Sequence, residues 1–322
     1  MKHKKTEKCK QCELYREMVE AKTNMKDRIL KLRGLQSFAV MQNNKIVFEY
    51  GDISYNRDYI ASCRKSVISI LYGMFIGTEY LDKNMKELEI NDLQELSENE
   101  KMATVRDLLT ARSGIYHPAS NPTNPIDDGL IPKRDSYKHG EHFAYNNWDF
   151  NALGTIFEKL SGKSVYDALN ELGKMLDFQD YDVDFNKNMY YERIENEIHT
   201  RKSIHNPYHM YLSVRDMLKI GQLMLNKGKY NDKQIITEEW HKTITSICTT
   251  VDEIQKQNKK RDVGYGYLWW IFDNDVDHPL HGAYFASGLG GQTIFVIPKH
   301  DTIIATKNLA NHRKLVYSVL GL

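Results

Sequence analysis

The chain has 322 residues, and its 44 lysine and arginine residues nearly balance its 43 aspartate and glutamate residues. A chain of this length can bury a core that folds without disulfides or metals, and its net charge near zero provides no basic field for nucleic acid or an acidic membrane surface. The composition therefore favours an independently folding protein that acts on a small molecule or a short peptide.

The N-terminal region carries few structural signals. Residues 1–12 are basic with no apolar segment behind them, which predicts a disordered head and not a secretory signal. Cys9 and Cys12 form a CxxC pair, but the sequence has no second such pair or matched histidine pair, which disfavours a zinc site. The longest apolar run, 67–76, is far shorter than the roughly 20 residues that span a bilayer. With only four cysteines, we expect a cytoplasmic protein with no membrane span.

The chain then changes from helical to β patterning. Residues 13–33 place apolar side chains mostly at helical spacing and predict a first helix. The following stretch, LQSFAVMQNNKIVFEYGD, predicts a β-hairpin, because two β-rich runs flank Asn43 and Asn44. Asparagine tolerates the positive φ that a tight hairpin turn requires.

The middle of the chain is predicted to be helical. Apolar spacing indicates helices at residues 66–78, 104–112, 147–160, 164–176 and 213–227. Between the second and third helices, residues 115–142 are rich in Pro, Asn, Asp and Gly, and this length is typical of a substrate-facing loop. Strands return in GYGYLWWIF, AYFASG, QTIFVIP and TIIATKN, and a helix closes the chain.

These elements predict an α+β fold. A sheet built from both ends of the chain, with a helical insertion between them, has its cleft at the junction. We expect one domain over residues 13–322, with the sheet part at about 13–60 and 230–322 and the helical part at about 61–229.

The stretch YIASCRKSV contains the first candidate for chemistry. Ser62 and Lys65 stand three residues apart at the predicted start of a helix, so their side chains share one face. A serine nucleophile needs a base, an amine can serve when burial lowers its pKa, and the helix N-terminus stabilises developing negative charge. One S-x-x-K tetrad is no more than chance provides, so the alternative stays open that Ser62 caps the helix and Lys65 is solvated.

Two further motifs follow. Tyr145 could relay a proton at the start of the predicted helix, and the Asn147 amide could orient Lys65 and bind a substrate carbonyl; alternatively, Asn147 is an N-cap and Tyr145 a packed aromatic. In YFASGLGGQTIFVIP, glycines allow close ligand approach, so the N–H of Leu289 could supply half of an oxyanion hole. That segment could equally be a hairpin with a bulge.

Taken in order, Ser62-x-x-Lys65, Tyr145-x-Asn147 and the glycine-rich turn resemble the serine hydrolases related to class C β-lactamases, DD-peptidases, and the esterases and amidases of the same fold. The resemblance covers roughly residues 30 to 322. It implies a β-lactamase/DD-peptidase-like antiparallel sheet, flanked by N- and C-terminal helices, with the active site at the junction to an inserted helical subdomain.

The resemblance also implies roles for individual residues. Ser62 would be acylated, Lys65 and Tyr145 would share the acid–base work, and Asn147 would support them. The backbone N–H groups of Ser62 and Leu289 would bind the oxyanion. No cofactor or metal is implied.

One motif departs from the family pattern. β-Lactamases and DD-peptidases begin the third motif with Lys or His, which holds the substrate carboxylate, whereas this chain has Ala286-Ser287-Gly288. Losing such a charge-assisted contact costs about 1.5–3 kcal/mol, so an ester or amide is favoured, in the style of the branch that includes 6-aminohexanoate-oligomer hydrolases. β-Lactamase or D-alanyl-D-alanine carboxypeptidase activity stays an alternative, as does an inactive binding module.

Several residues carry weaker signals. Tyr116, His117, Ser287 and Gly288 are candidates for substrate binding. Trp269 and Trp270 are adjacent on a predicted strand and must face opposite sides, so at most one reaches the cleft.

The histidines do not predict a metal site. Pro207 interrupts the helical ligand spacing of the nearby histidines, so they are predicted to be loop or surface residues. The histidines concerned are His199, His205 and His209, and the same prediction applies to His139 and His142. The sequence does not indicate the substrate or the oligomeric state.

Overall fold

The structure, a computed structural model, describes most of the chain. The described ranges are 37–121, 130–197, 201–257, 261–273, 276–309 and 312–321. The predicted basic head and first helix, including Cys9 and Cys12, lie outside the described residues, as does His199.

Seven antiparallel strands form one sheet in the order β2-β1-β9-β8-β7-β6-β5. These strands are β1 (Ser37–Gln42), β2 (Lys45–Tyr50), β5 (Gly264–Tyr265), β6 (Trp270–Ile271), β7 (Tyr284–Gly288), β8 (Gln292–Ile297) and β9 (Thr302–Lys307). β1 pairs with β9, with Phe38 opposite Thr306. This pairing confirms the prediction that both ends of the chain build the sheet.

The turns follow the predicted chemistry. Asn43 and Asn44, with φ of 49° and 58°, connect β1 to β2, as a tight hairpin with two positive φ angles requires. A second hairpin joins β3 (Lys229–Tyr230) to β4 (Lys233–Gln234).

Eight α-helices lie between β2 and β5 in the described part of the chain. They are α1 (Cys63–Phe75), α2 (Val105–Leu109), α3 (Asn147–Ser161), α4 (Val165–Met175), α5 (Val183–Glu197), α6 (Val214–Leu225), α7 (Glu238–Ile244) and α8 (Val251–Gln257), and α9 (His312–Leu320) closes the chain. The five predicted helical segments are confirmed, with shifted ends. α5 was not predicted because VDFNKNMYYERIENE is polar and lacks an apolar stripe.

α1 is the central helix of the fold. Its residues Cys63–Tyr72 are all buried, and it contacts β7 and β8 of the sheet as well as α3 and α4. Because of these contacts, the start of α1 lies where the sheet meets the helical insertion.

In the described part of the chain, no helix is long and apolar enough to cross a membrane.

Candidate active site

Ser62 stands at the start of α1. It occupies the N-cap position, yet its side chain makes no capping hydrogen bond. The Lys65 N–H donates to the Ser62 carbonyl at 3.0 Å and closes the first turn. Ala61 before it adopts φ of 48°, a left-handed conformation that costs a non-glycine residue roughly 1–2 kcal/mol. The capping alternative for Ser62 is therefore wrong, and a strained turn sets the position of its hydroxyl.

Lys65 is buried beneath the helix start, with only 2% of its surface exposed. Its Nζ donates to Tyr145 Oη at 2.8 Å. The same Nζ lies 4.1 Å and 4.2 Å from the ring centroids of Tyr145 and Phe150. The alternative of a solvated surface lysine is therefore wrong. The amine is held against a hydroxyl that can accept or donate a proton.

The start of α3 fixes the position of Tyr145. The helix N-cap is Asn146, whose side chain accepts a hydrogen bond from the Asp149 N–H at 3.0 Å. Asn147 is therefore the first helical residue, buried, and the alternative that it caps the helix is wrong. Tyr145 is half-buried immediately before this cap.

Aromatic rings orient the Tyr145 side chain. Its ring stacks on Trp270, with centroids 5.4 Å apart, and lies 4.8 Å from the Phe150 ring. Trp269 faces the core instead, where its Nε1 donates to Ser69 Oγ at 2.9 Å. The prediction that the two tryptophans face opposite sides is confirmed, and Trp270 is the one that reaches the site.

A buried hydrogen bond ties α3 to the turn after α2. Ser113 Oγ donates to Asp149 Oδ1 at 2.6 Å, and the Ala144 N–H donates to the Ala111 carbonyl at 2.9 Å. Burial raises the pKa of Asp149 well above its usual range, and the hydrogen bond from Ser113 opposes that shift. These contacts hold the backbone that carries Tyr145.

β7 ends against the turn that carries the serine. A Cβ at position 288 would lie 2.6 Å from the Ile60 carbonyl oxygen and 3.0 Å from the Ser62 nitrogen. Glycine therefore permits this close approach of strand and helix start. Leu289, the next residue, is 65% exposed. The segment is also a hairpin, with Gly288 opposite Gln292 on β8.

The other substrate-binding candidates lie at varied depths. Ser287 is half-buried on β7, and Tyr116 is buried. The buried His117 places Nε2 3.1 Å from both carboxylate oxygens of Glu100, which also accepts a hydrogen bond from Arg134 at 2.7 Å. Burial opposes ionisation of Glu100, but the bonds from His117 and Arg134 lower its pKa to about 2. Glu100 thus joins the two arms of the loop at 115–142.

The described histidines do not form a metal site. His205 and His209 lie in loops, as predicted, although both are buried and not at the surface. His139 Nδ1 lies 3.2 Å from an Asp107 oxygen, and His142 stacks on a tyrosine ring. Among the described residues, no group of three or more His, Cys, Asp or Glu side chains is arranged to hold a metal ion.

Sequence reasoning passed over two residues at this site. Phe150 fits the apolar pattern of a core helix, and the arginine inside YIASCRKSV, Arg64, is of a type that is usually solvated. Neither residue type signals the site by itself. Their surroundings in the fold show that they belong to the site. Phe150 lies against the Lys65 amine, and Arg64 is buried two residues after Ser62.

Comparison with known proteins gives a consistent result. A family model described as Beta-lactamase matches residues 31–314 of this chain. An uncharacterized protein of Alkalihalophilus pseudofirmus is 27% identical over 304 residues, which cover 84% of this chain and 82% of the relative.

Solved structures share the fold at low identity. A Bacillus anthracis protein described as a 6-aminohexanoate-dimer hydrolase is 21% identical, covers 93% of this chain and 79% of its own, and gives a TM-score of 0.56. A penicillin-binding protein from Bacillus halodurans is 15% identical, with coverages of 94% and 99% and a TM-score of 0.65. A class C β-lactamase variant is 16% identical, with coverages of 95% and 98% and a TM-score of 0.63. The predicted β-lactamase/DD-peptidase-like α+β fold is confirmed.

Proposed function

The chain belongs to the β-lactamase family of serine hydrolases, and from that premise we propose that it cleaves an ester or amide bond of a small molecule or short peptide through an acyl-enzyme on Ser62. One observation carries the proposal. The buried Lys65 amine lies 2.8 Å from the Tyr145 hydroxyl, one helical turn from Ser62.

Acylation would begin with loss of the Ser62 hydroxyl proton to Lys65, assisted by Tyr145. The Ser62 oxygen forms a bond to the substrate carbonyl carbon, and the N–H groups of Ser62 and Leu289 bind the resulting oxyanion. The bond from that carbon to the leaving oxygen or nitrogen then breaks, and the leaving group takes the proton by way of Tyr145. Asn147 supports this step by orienting the amine and the substrate carbonyl.

Deacylation reverses the roles with water as the nucleophile. The same base takes a proton from water, whose oxygen bonds to the acyl carbon. The ester bond to Ser62 breaks, its oxygen recovers a proton, and the carboxylic acid leaves.

The third motif favours esters and amides over β-lactams. Ala286 is buried on β7 at the position of the cation that holds the substrate carboxylate in β-lactamases and DD-peptidases. The hydrolase described for the Bacillus anthracis structure is consistent with an amide or ester substrate. Nitrocefin turnover at the rates of dedicated β-lactamases would favour the alternative activity instead.

Covalent labelling tests the proposal. The intact mass after incubation with a fluorophosphonate should show one adduct on the parent and none on Ser62→Ala, while p-nitrophenyl acetate and butyrate turnover falls about 10³-fold or more. Ser66→Ala is the matched control, because Ser66 lies on the same helix with its hydroxyl donating to the Leu268 carbonyl. A folded parent that stays unlabelled and inactive would make this fold a binding module in this chain.

A further inference from the structure

Arg64 is a buried cation two residues after the candidate nucleophile. It is 2% exposed, its Nη2 donates to Asn151 Oδ1 at 2.9 Å, and its guanidinium lies 4.6 Å from the Tyr208 ring centroid. Within the described ranges, Nη1 has no hydrogen-bond partner and no carboxylate lies within ion-pair distance of Arg64. A buried guanidinium without an opposite charge is costly, so the site is suited to an anion that comes from outside the described chain.

His209 lies on the other side of the same turn. The bridge between Tyr59 and Tyr211, with the Ile60 N–H donating to the Met210 carbonyl at 2.8 Å, places His209 opposite Ala61 in an antiparallel register. Ala61 directly precedes Ser62. The histidine is therefore beside the nucleophile turn, although it is 147 residues away along the chain from Ser62.

The His209 ring offers unused polar atoms. It is 9% exposed, and neither ring nitrogen has a hydrogen-bond partner among the residues that the structure describes. Burial, and then the charges of Arg64 and Arg193, lower its pKa to about 3. The neutral ring provides one N–H donor, and the Tyr59 ring packs edge-on against it at 5.5 Å.

These groups match a carboxylate. A guanidinium binds carboxylate oxygens through charge-assisted hydrogen bonds, and a neutral imidazole can add a further N–H donor. The third motif has no cation at Ala286. Arg64 on α1, two residues after Ser62, is a buried cation whose Nη1 has no partner among the described residues.

We propose that Arg64 and His209 bind a carboxylate carried by the acyl part of the substrate. The inference rests on the proposed Ser62 acyl-enzyme and deepens it, because it names the class of substrate as a dicarboxylic acid monoester or monoamide. The cation that recognises a substrate carboxylate is then located on the helix of the nucleophile and not on β7.

A matched pair of esters tests the inference. Mono-p-nitrophenyl adipate carries a carboxylate on its acyl chain, and the methyl ester of the same compound has the same chain without the charge. We expect kcat/KM of the parent to be at least about tenfold higher for the acid, consistent with one charge-assisted contact. Arg64→Met should abolish that ratio, because it lowers kcat/KM for the acid about tenfold more than it lowers kcat/KM for the methyl ester.

Three further variants separate charge from fold. Arg64→Lys should keep part of the preference, and His209→Phe should reduce it. Lys83→Met removes a positive charge from an exposed i,i+4 ion pair and should leave the ratio unchanged. Should Arg64→Met fail to fold, competitive inhibition of the parent by adipate, with none by adipamide, supports the inference.

The outcomes distinguish the two proposals. A parent that hydrolyses both esters equally well and is labelled at Ser62 retains the proposed function and overturns this inference. A preference for the acid that persists in Arg64→Met also overturns it. Absence of Ser62 labelling rejects the acyl-enzyme itself.

Discussion

Two lysine–tyrosine pairs with the same hydrogen-bond length stand in different parts of this molecule. Lys65 donates to the Tyr145 hydroxyl at 2.8 Å, and Lys219 on α6 donates to the Tyr230 hydroxyl on β3, also at 2.8 Å. Each amine also lies over the ring of its tyrosine, at 4.1 Å and 5.3 Å from the centroid. The contact alone therefore does not define a catalytic site.

The surroundings of the two pairs differ. Lys65 is buried, one turn from Ser62 and beneath the ring of Phe150, whereas Lys219 is half-buried and has Asp216 three residues before it. A proton relay needs a nucleophile within its reach and limited access of water. The comparison indicates that a lysine–tyrosine pair is suited to catalysis only where the preceding helix turn carries a nucleophile, as Ser62 does before Lys65.

Removal of the two amines provides the sharpest contrast. Lys65→Met should lower kcat/KM for p-nitrophenyl butyrate by about 10³-fold, since positioned general bases contribute about 10²–10⁴-fold. Lys219→Met, which breaks the matched pair, should change it less than threefold. Steady-state kinetics with a thermal unfolding curve for each variant measure this, and equal losses in both variants would contradict a special role for Lys65.

Removal of the phenol hydroxyls is the next largest effect. Tyr145→Phe keeps the ring stacked on Trp270 but removes the proton relay, so kcat should fall about 10²-fold with little change in the unfolding midpoint. Tyr230→Phe is the matched control. If Tyr145→Phe retains full turnover while Lys65→Met does not, the hydroxyl only positions the amine.

A second buried lysine, Lys307, extends the comparison with a pH effect. Lys307 on β9 donates to the carbonyl oxygens of Tyr55 and Asp58, at 3.2 Å and 3.0 Å, in the segment that leads to Ser62. Carbonyl oxygens can hold an ammonium but cannot exchange a proton with it. Burial lowers the pKa of Lys307 to about 8, with the Asp58 charge opposing the shift.

This pKa sets the direction of a stability change. In the unfolded chain a lysine has a pKa of about 10.4. Between pH 8 and that value, the unfolded state therefore holds more protons at Lys307 than the folded state does. The free energy of unfolding consequently rises with pH in this range. The free energy of unfolding of the parent should gain about 2 kcal/mol relative to Lys307→Met between pH 7.5 and 9.5. Urea unfolding of both proteins measures this, and parallel pH profiles would show that Lys307 is not held in this way.

Short-range sequence patterns predicted much of the fold. The β1–β2 hairpin followed from Asn43 and Asn44, and the helices α1, α3, α4 and α6 followed from apolar spacing, because turn chemistry and helical periodicity involve only a few neighbouring residues. α5 was not predicted, because its residues do not form an apolar stripe. The candidate residues Ser62, Lys65 and Tyr145 were found by motif order.

The sequence by itself determined the order of the elements, the three motifs and the family that they resemble. Tertiary structure decided that Lys65 and Arg64 are buried, that Lys65 contacts a tyrosine 80 residues away along the chain, and that His209 packs beside the turn before Ser62. Those properties depend on which distant segments exclude water from a side chain and supply its partners. Local residue patterns do not contain that information, because burial and long-range pairing arise only when the whole chain packs.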